Sequence, residues 1–198
     1  GLESISNGLQ VLGGYGFCTD YDLEQYYRDI RIMSIYEGTT GIQSLDLMGR
    51  KIIMKNGAAM KLLIEEFKET IHSALNYDEL KPYAEHFKTN SKELGEVIMK
   101  LLGFAMKGDH ERYISDATIF MEYMSTIVVA WQWLKMATVA KTLLVRGNNT
   151  YSKEFYEKKI HTMKFYFKYE LSRTNGIKNI LLHPESLTII EKEEKVFI

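Results

Sequence analysis

Proline is almost absent from this chain, and that scarcity constrains the fold more than any other feature. Only Pro82 and Pro184 occur in 198 residues, and β-branched alternation of the strand type is nearly missing. A chain with few helix breakers, and with apolar residues recurring every three or four positions, is read as helical. The expected fold class is all-α, a helical bundle.

Taken in order, Leu2, Ile5, Leu9 and Leu12 already follow helical spacing, so the chain is expected to begin inside a helix, as an excised fragment would. That helix, Glu3 to about Val11, should stop at Gly13-Gly14. Thr19 or Asp20 can cap a second helix with Leu23, Tyr26, Tyr27 and Ile30 on one face. Met33 to Glu37 reads as an irregular approach. Thr39 or Thr40 then caps a third helix carrying Ile42, Leu45, Met48 and Ile52.

Asn56-Gly57 is a weak break before Met60, Leu63, Ile64, Phe67 and Ile71. Tyr77 to Pro82 reads as a connection and Tyr83 to Met106 as a helix, closed by Gly108-Asp109, which also caps the next. Glu111 to Arg146 is the longest periodic run, apolar nearly all round from Ile119 to Val145, and should be the buried centre of the bundle. Gly147-Asn148-Asn149 is a turn signal. Ser152 to Arg173 should be the last long helix, ended by Thr174-Asn175-Gly176, with a tail from His183-Pro184 to Ile198 that is ordered at best in part. The glycine-rich first part changes to long helices near Lys51 to Asn56, which divides the chain into 1–52 and 53–198.

Composition narrows the function. Charged residues at 26% and hydrophobic residues at 45% describe an ordinary globular protein, and a net charge of -1 gives no field to attract nucleic acid or an anionic membrane. Tyr123 to Leu134 carries no charge, but a span needs about twenty apolar residues; it is expected to be a core helix. The start shows no basic and apolar leader pattern, so no signal peptide is visible. The single Cys18 excludes an internal disulfide, suits a reducing, cytoplasmic setting, and is expected to be a small buried apolar side chain. His72, His86, His110, His161 and His183 lack metal-ligand spacing. Trp131 and Trp133, on different helix faces, and Met121, Met124 and Met136 read as core filling.

Two glycine bends hold the candidate chemistry. Glu37 precedes a helix start, where the positive helix end favours its ionised form, while burial against Ile35 and Tyr36 would oppose it. On spacing alone the solvent-exposed acid at a helix start is the favoured reading. Gly38 and Gly41 flank Thr39-Thr40 and let a ligand approach the backbone; N–H groups at a helix start also suit phosphate. Gln10-Val11-Leu12-Gly13-Gly14-Tyr15-Gly16 is either a helix stop followed by a tight turn or backbone presented to a polar ligand. It is no dinucleotide fingerprint, because it follows a helix and lacks the G-x-G-x-x-G spacing.

QVLGGYGF, followed by YYRDIRI and IYEGTTGIQ, resembles the C-terminal helical domain of the acyl-CoA dehydrogenase flavoprotein family. Gln10, Gly13, Gly14, Gly16, Phe17, Asp20 and Asp29 fall on the family's signature. Gln25 departs from it, standing where Lys or Arg is expected, which puts one ion pair in question. EGTTGIQSLDLMGRK, VVAWQWLKMA and FYEKKIHTMKFYF resemble the larger subfamily with an extra C-terminal helical domain, which includes enzymes for methylthio-propionyl-CoA and for long or unusual acyl-CoAs.

The resemblance implies that Glu37 is the base taking the α-proton of an acyl thioester while the β-hydride passes to flavin N5, its N–H binding the thioester carbonyl. It implies that Gly38 contacts substrate, that Tyr36 walls the pocket, and that Thr39, Thr40 and Gly41 contact FAD, Gly41 through its backbone alone. Gln10, Val11, Leu12, Gly13 and Gly14 match the segment that reaches the FAD of a neighbouring subunit, so a homo-oligomer, dimer or tetramer, is implied. An electron-transfer flavoprotein is the implied electron acceptor and acyl-CoA the substrate. Without the upstream domains the chain itself is expected to be silent. The rival is a helical dimerisation module in which Glu37 is only a cap, and an oxygen-using oxidase relative is a third option.

Overall fold

The computed structural model describes residues 1–147 and 150–189. Asn148 and Asn149 of the expected turn, and the tail from Ile190 to Ile198, lie outside the described residues. Among the described residues the regular structure is helical throughout, as the periodicity predicts. The chain divides into two compact units, Gly1–Gln43 and a second beginning at Ser44.

In the first unit, α1 (Leu2–Leu12) packs against α2 (Leu23–Arg31). Neither helix has a fully buried residue. A 3₁₀ turn over Gly13–Phe17 follows α1, and another over Ile32–Ser34 follows α2. The expected cap at Thr19 or Asp20 is not used. The helix starts at Leu23, and Asp22 at its N-cap makes no side-chain cap bond because its backbone is already αR. The helix α3 (Thr40–Asp46) begins where Thr39-Thr40 predicts.

A π-turn, Leu47–Lys51, extends α3, with the Ile52 N–H reaching Leu47 O at 3.0 Å. Tyr113 donates its hydroxyl hydrogen to the Met48 carbonyl at 2.6 Å, so the widened turn leaves that carbonyl satisfied. Met48 and Ile52 are buried as their spacing predicts, whereas Ile42 and Leu45 of the same stripe are exposed.

The helix α4 (Met54–Ala74) opens with the break expected at Asn56-Gly57, a left-handed run at Lys55, Asn56 and Gly57. Next come α5 (Lys81–Met106), with Pro82 in its first turn, and α6 (His110–Ile114), capped by Asp109, which accepts from Arg112 N–H at 3.0 Å. The expected single helix from Glu111 to Arg146 is broken: α6 ends at Ile114 and α7 (Ala117–Val145) starts anew. At the break Ser115 donates to the Arg112 carbonyl at 3.1 Å, and Asp116 sits outside the helical region at φ -109, ψ 29. Such short polar side chains offer the backbone an alternative to helix continuation.

The expectation for the centre holds. α7 packs against α4, α5, α8 (Lys153–Tyr169) and α9 (Thr174–Leu181). Phe67 meets Phe87 edge-on at 5.0 Å and Trp131 at 5.3 Å, and the Trp131 indole N–H donates to Thr70 Oγ1 at 2.8 Å. Trp131, Trp133 and Met124 pack against the core, while Met136 is exposed.

Thr174-Asn175-Gly176 does not end the last helix. α8 stops at Tyr169, a 3₁₀ turn spans Leu171–Arg173, and Thr174 begins α9. Thr174 is buried and bonded to Leu171 O at 2.6 Å, and burial of Leu181 with Ile177 and Leu182 against the core offsets the helix-weakening Gly176. Beyond α9, Lys100 Nζ holds Leu182 O at 2.6 Å, and Arg112 holds His183 O at 2.8 Å and Pro184 O at 2.9 Å. No helix among the described residues is long and apolar enough to cross a membrane.

Candidate active site

Both glycine bends lie in the first unit. At the end of α1, Gly13 takes φ 59, ψ -136, a conformation open essentially to glycine, and its N–H closes on the Gln10 carbonyl. Gly16 is buried against α1: a Cβ there would stand 2.5 Å from the Leu9 carbonyl oxygen. Gln10, Val11, Gly13 and Gly14 are exposed, Leu12 is half-buried, and Phe17 beside them is 92% exposed. Cys18 corrects its expectation. It is exposed, its thiol 3.7 Å from the Gly14 carbonyl, because the 3₁₀ turn ends in an extended residue at that position.

The second bend follows the turn after α2, where Ile35 and Tyr36 N–H groups both bond to the Ile32 carbonyl. Tyr36 is half exposed and its hydroxyl points to Met33 Sδ at 3.2 Å. Glu37 stands at φ 55 and Gly38 at φ 101. Only glycine adopts the second freely, and a Cβ on Gly38 would also lie 3.1 Å from Gln43 Nε2 and 3.3 Å from Ile42 Cγ2. For a glutamate, the left-handed conformation costs about 1–2 kcal/mol. The Glu37 side chain is exposed and makes no ion pair or hydrogen bond among the described residues. Ile35 and Tyr36 are exposed too, so they do not bury it as expected.

Sequence reasoning missed Gln43. Its side-chain amide donates to the Glu37 carbonyl at 2.5 Å, across the bend. The available signal was position: side chains in the first turn of a helix lean toward its N-terminus, and Gln43 sits there. Thr39 and Thr40 are exposed beside Gly41, where a Cβ would meet nothing within 4 Å.

Asp46, the next carboxylate along, is occupied: the Arg50 guanidinium, with Lys51 beside it, pulls it down to about 2. Glu37, unlike Asp46, has no ion-pair partner among the described residues. A cleft of about 610 Å³ between α5 and α8 is lined by His86, His161, Lys164 and Lys168 and includes none of the residues of either bend. Burial holds the His86 imidazole below its usual range.

Comparison with known proteins bears on this arrangement. Residues 2–53 match the family model "Acyl-CoA dehydrogenase, C-terminal domain", and residues 63–189, more than half the chain, match "Acetyl-CoA dehydrogenase C-terminal like". The chain belongs to the acyl-CoA dehydrogenase family. A broad-specificity linear acyl-CoA dehydrogenase of Mycobacterium tuberculosis is 28% identical over 98% of this acyl-CoA dehydrogenase chain and 32% of its own length. A 3-methylmercaptopropionyl-CoA dehydrogenase of Ruegeria pomeroyi is 31% identical over 81% of this chain and 27% of its own. A caffeyl-CoA reductase–Etf complex subunit of Acetobacterium woodii is 40% identical over 24% of this chain and 12% of its own. The chain thus spans about a third or less of the length of these relatives.

Proposed function

We propose that this chain is the C-terminal part of an FAD-dependent acyl-CoA dehydrogenase, in which Glu37 is the base that removes the α-proton of an acyl-CoA thioester. One observation carries the reading: a carboxylate without a partner among the described residues, held at a left-handed bend beside a glycine at φ 101 whose Cβ would crowd Gln43 and Ile42.

Residues 1–52 close the catalytic helical domain and residues 53–198 form a helical extension. Glu37 accepts the proton on a carboxylate oxygen as the α C–H bond breaks, and that electron pair forms the double bond as hydride leaves the β-carbon. FAD supplies the hydride acceptor when bound. The Glu37 N–H donates to the thioester carbonyl, where negative charge develops. Gly38 contacts the substrate and Tyr36 walls its pocket.

The donor set suits FAD. Thr39 and Thr40 present hydroxyls, Gly41 leaves open the space a side chain would fill, and Gln10 to Gly14 present a side-chain amide and glycine backbone. The latter segment serves the FAD of a neighbouring subunit, which makes the enzyme a homo-oligomer. Exposure of Val11 (87%) and Phe17 beside it supports a contact there. Electrons pass to an electron-transfer flavoprotein, a reading supported by the name of the Acetobacterium relative. The exposed, unpaired Cys18 fits a reducing, cytoplasmic setting. The 198-residue chain alone does not turn over.

The test is Glu37→Gln in the full-length enzyme. The variant retains bound FAD and its colour, and acyl-CoA added without oxygen no longer bleaches the flavin. Bleaching at the native rate would return Glu37 to the role of a helix cap in an assembly module. A reductive half-reaction from the isolated chain with FAD would overturn its silence.

A further inference from the structure

We propose that Gln43 is a positioning residue for the base: its amide clamps the Glu37 carbonyl and thereby aims the Glu37 carboxylate. This rests on the reading of Glu37 as base.

Gln43 is anchored at both ends. Its N–H bonds to the Thr39 carbonyl at 3.0 Å in the first turn of α3, and its side-chain N–H reaches back to the Glu37 carbonyl at 2.5 Å. The bond closes a loop around Gly38, whose φ of 101 and missing side chain make room for the amide. The Glu37–Gly38 peptide plane is therefore fixed by a donor outside the bend. The Glu37 backbone sits in a region that a glutamate leaves readily. Without the clamp the bend relaxes toward conformations that carry the carboxylate elsewhere.

Among the described residues Glu37 has no side-chain partner to orient it, so backbone geometry is the orienting influence they provide. An α-proton abstraction depends on that geometry, because misplacing a catalytic group by about 1 Å can cost on the order of a hundredfold in rate. Gln43 touches neither proton nor thioester. Its effect passes through Glu37.

The experiment compares Gln43→Glu, which keeps the shape but removes the donor, Gln43→Leu, which removes all polarity, and Gln43→Lys, which restores a donor of similar reach. All are made in the full-length enzyme. Flavin reduction by acyl-CoA is followed without oxygen, together with FAD content, acyl-CoA affinity and the pH profile of reduction. The expected result is a fall of about tenfold in the limiting reduction rate for Gln43→Glu and Gln43→Leu, equivalent to about 1.4 kcal/mol. FAD content and acyl-CoA affinity change little, and Gln43→Lys recovers most of the rate.

Native rates in both donor-less variants overturn the clamp. Loss of FAD or of substrate affinity in parallel with the rate also overturns it, because that marks Gln43 as merely structural. Glu37→Gln serves as the internal reference. If it too reduces flavin at the native rate, the base assignment has failed, and the clamp with it.

Discussion

Two buried tyrosines offer the same chemical change with opposite expected signs. Tyr113 is 6% exposed and gives its hydroxyl hydrogen to the Met48 carbonyl at 2.6 Å. Tyr123 is fully buried and its hydroxyl meets no hydrogen-bond partner among the described residues. Tyr113→Phe takes the hydroxyl donor from a buried carbonyl at the π-turn, a loss of about 1–3 kcal/mol. Tyr123→Phe removes a hydroxyl whose unpaired burial costs about 1–3 kcal/mol, and part of that is recovered, about 1 kcal/mol. For a chain of this size each kcal/mol moves Tm by about 2–4 °C. The expected shifts are about -4 to -8 °C for Tyr113→Phe at a loss of 2 kcal/mol, and about +2 to +4 °C for Tyr123→Phe. Thermal unfolding followed by circular dichroism, with Tyr169→Phe as the exposed control, measures both. Alkali adds a second axis. Burial raises both phenols, that of Tyr123 reinforced by Glu93 and Glu96, so the unfolded chain ionises first and stability falls as pH rises past the ordinary phenol value of 10.0. Each Phe variant lessens that fall. Destabilisation of similar size in both variants would refute the reasoning, since it would mean that the Tyr123 hydroxyl is satisfied.

Glu79 ties α7 to α8, meeting Lys141 and Lys164 at 2.7 Å each, and those ammonium groups hold its carboxyl below the usual range. Its folded-state value is depressed, so the tie is present above the unfolded value of 4.5 and is lost as pH falls through the lower, folded one. Glu79→Gln therefore costs about 0.5–1 kcal/mol at neutral pH and nothing in acid, as read from urea titrations at two pH values. Gly16→Ala forces a Cβ to within 2.5 Å of the Leu9 carbonyl and lowers thermal stability by about 1–3 kcal/mol, whereas Gly95→Ala, in open space on α5, does not.

The bundle was legible because its code is repetitive. Phe67, Ile71, Leu94, Val97, Leu101, Ile127 and Leu134 recur at helical spacing, and all are buried. Interruptions within the periodic runs were harder to see. Ser115-Asp116 splits a continuous apolar pattern, since a short polar pair suits either a helix surface or a local bend, and the choice depends on what lies opposite: Ser186 and Thr188 bond to Ser115 and Asp116. Thr174-Asn175-Gly176 misled in the other direction. Gly176 usually weakens a helix, but the buried Thr174 and Leu181 make continuation worthwhile through contacts no local window contains. Cys18 was judged by the average burial of its residue type, and the turn it ends leaves it outside.

At the candidate site, local preference and structure disagree, and the disagreement is informative. Three non-glycine residues among those described hold positive φ: Lys55, Asn56 and Glu37. The first two lead into Gly57, itself left-handed, at the opening of a helix, where such a run serves as a break. Glu37 likewise leads into a positive-φ glycine, Gly38, just ahead of α3, so what needs explaining there is the residue type and not the bend. Glycine or asparagine would occupy φ 55 with less strain, so chain geometry alone gives no reason for a glutamate there. A carboxylate at that point costs stability and has no partner in the described structure to return it. A strained backbone under an exposed acid is the kind of outlier from which a functional assignment is proposed, as above for Glu37. Gln43 strengthens the argument. The amide on the Glu37 carbonyl holds the bend that carries the carboxylate, which is what the proposed positioning role of Gln43 requires.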